Sequence, residues 1–418
     1  MKSIRLLALA TALFCTSFSN AQKYVGGDIS VLLKYEEQGA TYFDKDGNGI
    51  SNVLFFLKQQ GWNTIRVRLF VDPSKDADKN VCQDLDYVKK LGKRIKEADL
   101  LFMLDFHYSD TWADPSHQTL PQSWIAINTP AYEYIYTYTK ESLEALVADG
   151  ATPDFIQIGN EISFGMLWDG CRLYSKSKTD WTDYSDQNWE SFATALKNAS
   201  KACREVCKMA KIIIHTEQCA NNPTLDIAFY NRIKNNEIDY DIIGVSYYPY
   251  CKGQLSNLDS GLTKLETNFP DKKIQLVETG YPSKWALPGT TYDYTSVYPY
   301  SHEGQRKYTA DLIAMLNKHQ QVDGLSWWYA EANAKGCTGS LKEGWYNASL
   351  FDNETGKALP ALYELKNFLG SESGISSLDA NKADDPFWYS LDGRRMNSKP
   401  QAKGIYLNNG KKIIINEK

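Results

Sequence analysis

The chain has 418 residues, a net charge of −5 and 43% hydrophobic content, enough material for one large domain or two modest ones. The small negative charge, with Lys and Arg dispersed rather than striped along one face, excludes the electrostatic footprint of a DNA- or RNA-binding protein. Past the N-terminus, no stretch approaches the roughly 20 apolar residues of a transmembrane segment.

In chain order the first element is "MKSIRLLALATALFCTSFSNAQ", where Lys2 and Arg5 precede an apolar run and small residues at Ser19 and Ala21. This reads as a signal peptide over residues 1–21 and implies export to the periplasm, the cell surface or the medium. Cys15 invites a lipid-anchor reading, but the bulky Phe14 before it fits lipid attachment poorly. Next, "DKDGNG" at 44–49 imitates the start of a calcium-binding loop, with oxygen ligands at its first, third and fifth positions. Its twelfth position is Phe55 rather than Glu, so a Gly-rich turn before a helix is the ordinary reading.

From residue 24 to about 370, short apolar runs rich in β-branched residues alternate with longer amphipathic stretches, the pattern of a parallel sheet with crossover helices. The strand candidates are "GGDIS", "NTIRVRLF", "LLFMLDFHY", "DFIQIGNEI", "KIIIHTE", "YDIIGVSYYPY", "KKIQLVETGY" and "DGLSWWY". Between them, segments such as "DLDYVKKLGKRIKEADL" and "NWESFATALKNASKACREVCKMA" carry apolar residues at three- and four-residue intervals. Eight strands alternating with helices predict a closed (β/α)8 TIM barrel over residues 22–370. The domain is longer than the usual ~250 residues. Its excess lies after predicted strands, in "SDTWADPSHQTLPQSW", "SFGMLWDGCRLYSKSKTDWTDYSDQ" and "SKWALPGTTYDYTSVYPYS", the side on which such barrels build their sites.

Residues 371–382 are small and polar and read as a linker. Residues 383–418 carry turn signals at Asp392-Gly393 and Asn409-Gly410 between short alternating strands, which predicts a small C-terminal β module. Of eight cysteines, Cys15 lies in the leader and seven remain, an odd number that argues against a disulfide scaffold. Cys203 and Cys207 are four apart on a predicted helix, but no matching second pair supports a metal site. They read as buried free thiols.

A carboxylate at the carboxyl end of a barrel strand sits at the mouth of the barrel. Glu161 and Glu278 occupy such ends on predicted strands 4 and 7, across the mouth from each other. Two facing carboxylates are what glycoside hydrolysis needs: one protonates the leaving oxygen and the other attacks the anomeric carbon or activates water. A lone Glu at a strand end is more often a surface residue. The accompaniment argues otherwise: Asn160 beside Glu161, Arg66 and Arg68 at alternate positions of strand 2, His107 ending strand 3, and Tyr247 and Tyr248 ending strand 6.

The stretches "GGDIS", "IRVRLFVDPS", "LDFHYSDTWADPSHQTLPQSW", "IQIGNEI", "IGVSYYPY", "LVETGYP", "HEGQRKY" and "WYNASLFDNETGKALPAL" resemble the glycoside hydrolase family 53 endo-β-1,4-galactanases, members of a large clan of retaining (β/α)8 glycosidases. The resemblance covers roughly residues 24–370. It implies hydrolysis of β-1,4-galactan, the polysaccharide of type I arabinogalactan and pectin side chains, with Glu161 as acid/base and Glu278 as nucleophile. It also points to Arg66 as the arginine facing the nucleophile, with Asn160 on the sugar 2-hydroxyl and Tyr247 orienting Glu278.

In the resembling enzymes the histidine matching His107 lines the sugar subsite; a satisfied structural histidine is the alternative. Asp110, Trp112 and Asp114 would supply an aromatic face with hydrogen-bonding groups, although Trp112, like Trp345, could equally anchor a loop. Relatives commonly read "YWEPAW" after strand 8, whereas this chain has "WWYAEAN". That leaves Trp327 and Trp328 as alternatives for the floor of the reactive subsite, with Trp328 preferred, and leaves the part of Glu331 open.

No cofactor or metal is expected for catalysis, a structural calcium is left open, and the expected state is a monomer with no nucleic-acid partner. Two other readings remain: a different activity of the same clan, against which "SDTWADPS" argues, and a glycan-binding barrel without catalysis, against which both glutamates argue.

Overall fold

A computed structural model describes residues 22–73, 80–173, 186–337 and 347–370, together with 388–390, 395–396, 399–400, 404–408 and 411–415. The leader, the linker, Trp345 and the two C-terminal turn pairs therefore lie outside the described residues. The chain divides into two units, Met1–Phe368 and Leu369–Lys418.

In the first unit eight strands close into a parallel barrel. They are β1 (Tyr24–Asp28), β2 (Thr64–Leu69), β3 (Leu101–Phe106), β4 (Phe155–Ile158), β5 (Lys211–Thr216), β6 (Ile242–Tyr247), β7 (Lys273–Thr279) and β8 (Val322–Trp327). Each pairs with its sequence neighbours, and β1 closes the ring by pairing with both β8 and β2. Helices at Leu85–Glu97, Ala131–Ala148, Asp186–Val206, Pro223–Asn235, Leu255–Asn268 and His302–Leu316 cross between strands. Side chains of Asp84, Asn222 and Ser301 cap three of these helices by accepting a backbone N–H of the first turn, which satisfies donors that a helix start leaves unpaired.

The strand alternation sorts the side chains. On β2, Ile65, Val67 and Leu69 take the other face from Arg66 and Arg68, and all five are fully buried, so this strand is buried on both sides as parallel sheets are. Gly26 permits the β1–β2 contact, since a Cβ there would lie 1.7 Å from the Thr64 carbonyl oxygen. One end of the barrel interior is filled by Met103, Phe155, Ile213, Ile242 and Val277, with Tyr24 and Leu101 packed against them. This apolar plug leaves the inward positions at the carboxyl ends of the strands to polar groups.

"DKDGNG" forms the turn of a small ribbon, Tyr42–Phe43 paired with Gly49–Ile50. The Asp44 carboxylate accepts from the backbone of Asp46 and Asn48 and from the Asn48 amide. The seven cysteines after the leader are free thiols, and Cys203 and Cys207 are buried. Among the described residues no helix is long and apolar enough to cross a membrane.

Among its described residues the second unit contains four strands, β9 (Trp388–Ser390), β10 (Arg395–Met396), β11 (Gly404–Asn408) and β12 (Lys411–Ile415), in one sheet of order β10-β9-β11-β12. A barrel that closes within the first unit has its own core. A chain ending at Gly370 is therefore expected to melt within a few degrees of the full-length protein in a calorimetric scan. A large drop would show that the second unit supports the barrel.

Candidate active site

Above the apolar plug, Arg66 occupies the centre of the barrel with no exposed surface. Its Nη1 reaches Asp28 Oδ2 at 3.0 Å, and its Nη2 reaches Asp105 Oδ2 at 2.8 Å, Glu278 Oε1 at 2.9 Å and Asn160 Oδ1 at 2.9 Å. Arg68, one inward position further along β2, pairs with Asp28 Oδ1 at 2.6 Å. Carboxylates in a dry interior are costly unless paired and hydrogen-bonded. Here three surround one planar guanidinium whose several N–H groups can serve them together. Burial opposes the charge on Arg66, but Asp105, Glu278 and Asp28 outweigh it and raise its pKa. Burial likewise opposes ionisation of Asp105, yet Arg66 and His107 hold its carboxyl below the ordinary value. His107 Nδ1 accepts the Ala113 N–H at 3.0 Å, which places the ring proton on Nε2, 3.0 Å from Asp105 Oδ2.

Glu278 reaches this network through an irregularity in β7. Val245 pairs with Leu276, but the next residue of β6, Ser246, pairs with Glu278, so Val277 is an extra residue in the ladder. Val277 belongs to the apolar plug and Thr279 bonds Tyr308 on the surrounding helix His302–Leu316. Strict alternation would send Glu278 outward after an inward Val277. The bulge turns it inward as well, a recurrent device beside functional sites. Its Oε2 accepts the Tyr248 hydroxyl at 2.8 Å.

Glu161 is held differently. β4 ends at Ile158, Gly159 turns with φ +98°, and Glu161 itself has φ 49° and ψ 54°, a left-handed conformation that costs a non-glycine residue of order 1–3 kcal/mol. External bonds fix it there: the Glu161 N–H donates to His215 Nδ1 at 3.3 Å, and the Gln118 amide donates to the Asn160 carbonyl at 2.8 Å. His215 is kept neutral by burial and by Arg66, so its Nε2 proton points at Ser246 Oγ, 2.7 Å away.

The two carboxyls line one cleft of about 400 Å³ with Arg68, His107, Trp112, Asp114, Asn160, Tyr248 and Trp328. Their environments differ. Burial pushes the Glu161 carboxyl far above its ordinary pKa, and the neighbouring Glu278 and Glu217 carboxyls push the same way, with Lys252 and Ser246 opposing. Burial leaves Glu278 above its ordinary pKa as well, but Arg66 and the Tyr248 hydroxyl favour its ionised form and limit the rise. Of the pair, Glu278 therefore gives up its proton first and Glu161 keeps one. The arrangement sets a readily ionised carboxyl beside one that holds its proton at one cavity wall, flanked by aromatic surface: Trp112 and Trp328 meet edge to face at 6.1 Å, and the Arg68 guanidinium lies 4.5 Å from the Trp112 ring centre.

The structure thus brings Glu161, Glu278, Arg66, His107, Trp112, Asp114, Asn160 and Trp328 to one place. Trp327 is buried behind the wall, its indole donating to the Ala348 carbonyl. Tyr247 does not touch Glu278: it follows the inward Ser246, so alternation turns it out, and its hydroxyl donates to the Gly253 carbonyl. Tyr248, on the inward face, makes the contact expected of Tyr247. Asp110 does not line the cleft; its two carboxylate oxygens accept the backbone N–H groups of Asp72 and Gln122, fixing the loop that carries Trp112. Glu331 is fully buried, accepts the Val31 N–H at 2.6 Å, and is pushed up to about 8 by burial and by Asp28. Sequence reasoning missed Gln157, His215, Ser246 and Glu217. Their signal was the inward alternation of β4, β5 and β6, read from the already inward Phe155, Ile213 and Ile242.

The model of glycosyl hydrolase family 53 matches residues 24–365. An arabinogalactan endo-β-1,4-galactanase of Thermothelomyces thermophilus is 32% identical over 320 residues, 74% of this chain and 89% of its own. Among solved structures, the family 53 catalytic domain of Ignisphaera aggregans superposes with a TM-score of 0.71 at 30% identity, over 82% of this chain and 95% of its own. One from a study of two fungal β-1,4-galactanases superposes at 0.68 with 28% identity, over 83% and 99%.

The raised pKa of Glu161 has a consequence for stability. In the unfolded chain this carboxyl ionises at its ordinary value, whereas the folded chain holds the proton to higher pH. The folded state thus binds the extra proton between the two values, and its stability falls as pH rises through that window. Glu161→Gln is expected to unfold like the wild type near pH 4 and to gain roughly 1 kcal/mol by pH 8, read by urea titration at both pH values. An equal effect at the two pH values would contradict the raised pKa.

Proposed function

We propose, because the chain belongs to glycosyl hydrolase family 53, that it is an arabinogalactan endo-β-1,4-galactanase. In this reading it is exported and cuts within β-1,4-galactan, such as the side chains of pectin, with retention of anomeric configuration. The observation that carries the reading is the pair of carboxyls on one cleft that hold their protons unequally, Glu161 more tightly than Glu278. The galactan specificity is carried over from relatives named as arabinogalactan endo-β-1,4-galactanases. The leader over residues 1–21 supports export, to the periplasm or beyond the cell surface.

In the first step ionised Glu278 attacks the anomeric carbon while Glu161 gives its proton to the departing glycosidic oxygen. A glycosyl ester on Glu278 and a shortened galactan with a free hydroxyl result. In the second step ionised Glu161 takes a proton from water, the water oxygen bonds to the anomeric carbon, and the ester bond to Glu278 breaks. Both carboxyls return to their starting states. Arg66 and Tyr248 steady the charge on Glu278 before attack. Asn160, held by Arg66 and the Ala113 carbonyl, would face the 2-hydroxyl, where a hydrogen bond strengthens toward the transition state. Trp328 and Trp112 offer the apolar faces of sugar rings a surface, and Asp114 and His107 offer hydrogen-bonding groups. The chemistry asks for no metal or cofactor.

Incubation with linear β-1,4-galactan should yield a ladder of oligosaccharides, and proton NMR should find the β-anomer first; the α-anomer first would overturn retention. Glu278→Ala should lose about 10⁴-fold or more in kcat on every substrate, with partial recovery in azide. Glu161→Ala should lose about 10²–10⁴-fold on galactan but far less on an activated aryl galactoside, whose leaving group hardly needs protonation. Two variants with near wild-type activity would sink the assignment. In the wild type the activity should fall at low pH as Glu278 becomes protonated and at high pH as Glu161 loses its proton.

A further inference from the structure

Glu217 follows β5 at the same barrel mouth and is 1% exposed. Its carboxylate accepts the Ser163 hydroxyl at 2.9 Å and the Gln218 side-chain amide. Ser163 is the middle residue of the short 3₁₀ turn Ile162–Phe164, which begins directly after the left-handed Glu161. The turn packs on β5. β5 therefore grips the Glu161 segment twice: His215 takes the N–H of Glu161 itself, and Glu217 takes the hydroxyl two residues later. A residue held in a sparsely populated backbone conformation stays there only when its surroundings over-determine it, and these two bonds hold the strained residue and the turn that follows it.

We propose that Glu217 is a positioning residue for the reaction, acting on Glu161 through the Ser163 hydroxyl and through its own charge. This rests on the reading of Glu161 as the acid. The groups facing Glu161 are Glu278 from β7, Glu217 just past β5, Ser246 from β6, and Tyr248, Tyr250, Cys251 and Lys252 just beyond β6. Glu217 faces the same Lys252, and Asp226, from the first turn of the helix Pro223–Asn235, lies behind it. One lysine thus serves a row of carboxyls. Burial and the Glu278 carboxyl are the first causes of the raised Glu161 pKa and the Glu217 carboxyl adds to them, so Glu217, when ionised, helps to keep the acid loaded as pH rises.

Two variants separate the contributions. Glu217→Gln keeps the size and the oxygen that accepts from Ser163 but removes the charge; Ser163→Ala keeps the charge but removes the bond. The full-length protein and both variants are assayed on linear β-1,4-galactan across pH, with melting curves run alongside. In Glu217→Gln the high-pH limb of kcat/KM should move down by about half a unit or more, with KM near wild type. In Ser163→Ala the limb should stay and kcat should fall roughly three- to ten-fold. A limb unmoved in Glu217→Gln together with an unchanged kcat in Ser163→Ala would overturn the proposal. A wild type inactive on galactan would instead overturn the substrate reading. Glu217 would then be judged by ¹³C NMR titration of the Glu161 carboxyl: a lower midpoint in Glu217→Gln supports it, and an equal midpoint ends it.

Discussion

The buried guanidinium of Arg66 is the contact on which this barrel mouth depends. It joins strands that are distant in sequence, touching Asp28 from β1, Asp105 from β3, Asn160 beyond β4 and Glu278 from β7. Removing it would take a cation from three buried carboxylates, of which Asp28 would keep Arg68 and Asp105 would keep His107, a loss on the scale of about 3–5 kcal/mol for breaking one buried pair. The same contact separates the behaviour of the two cleft glutamates, because Glu278 lies against the cation and Glu161 does not. Stability and reactivity are therefore set by one side chain.

Much of this was legible in the sequence. A period of two that carries arginine at 66 and 68, between Ile65, Val67 and Leu69, says which face turns inward without any coordinates. The eight strand positions follow from apolar runs of similar length, and Glu161 and Glu278 from their places at strand ends. What stayed hidden involves departures from regularity. An extra residue at Val277 leaves no mark in "KIQLVET", since a bulge is visible only against the partner strand. The exchange of Tyr247 for Tyr248 has the opposite origin: applying alternation from Ser246 would have selected Tyr248, and two adjacent tyrosines concealed the choice.

Asp110 and Glu217 show a second limit. Both are acidic residues just past a strand, and although alternation along β5 turns Glu217 inward, sequence does not say which partners either carboxylate takes. The structure separates them by their partners: Asp110 ties down a loop, while Glu217 holds the Ser163 hydroxyl, two residues from Glu161. The aromatic wall obeys the same logic. Trp327 and Trp328 are neighbours of identical chemistry, and only the strand's facing decides that one is packing and the other surface.

The apolar plug formed by Met103, Phe155, Ile213, Ile242 and Val277 bears on traffic as well as packing. It stops one end of the barrel, so molecules reach the carboxyls from the mouth alone. In a two-step route through a glycosyl ester, the water that completes the turnover then has to arrive by the side from which the first fragment departs. Any fragment slow to leave shields the ester, and a sugar hydroxyl waiting in the same place competes with water for it. If the chain works by the proposed double displacement, a barrel stoppered at its base would thereby be inclined to rejoin chains as well as cut them when short galactan pieces become abundant.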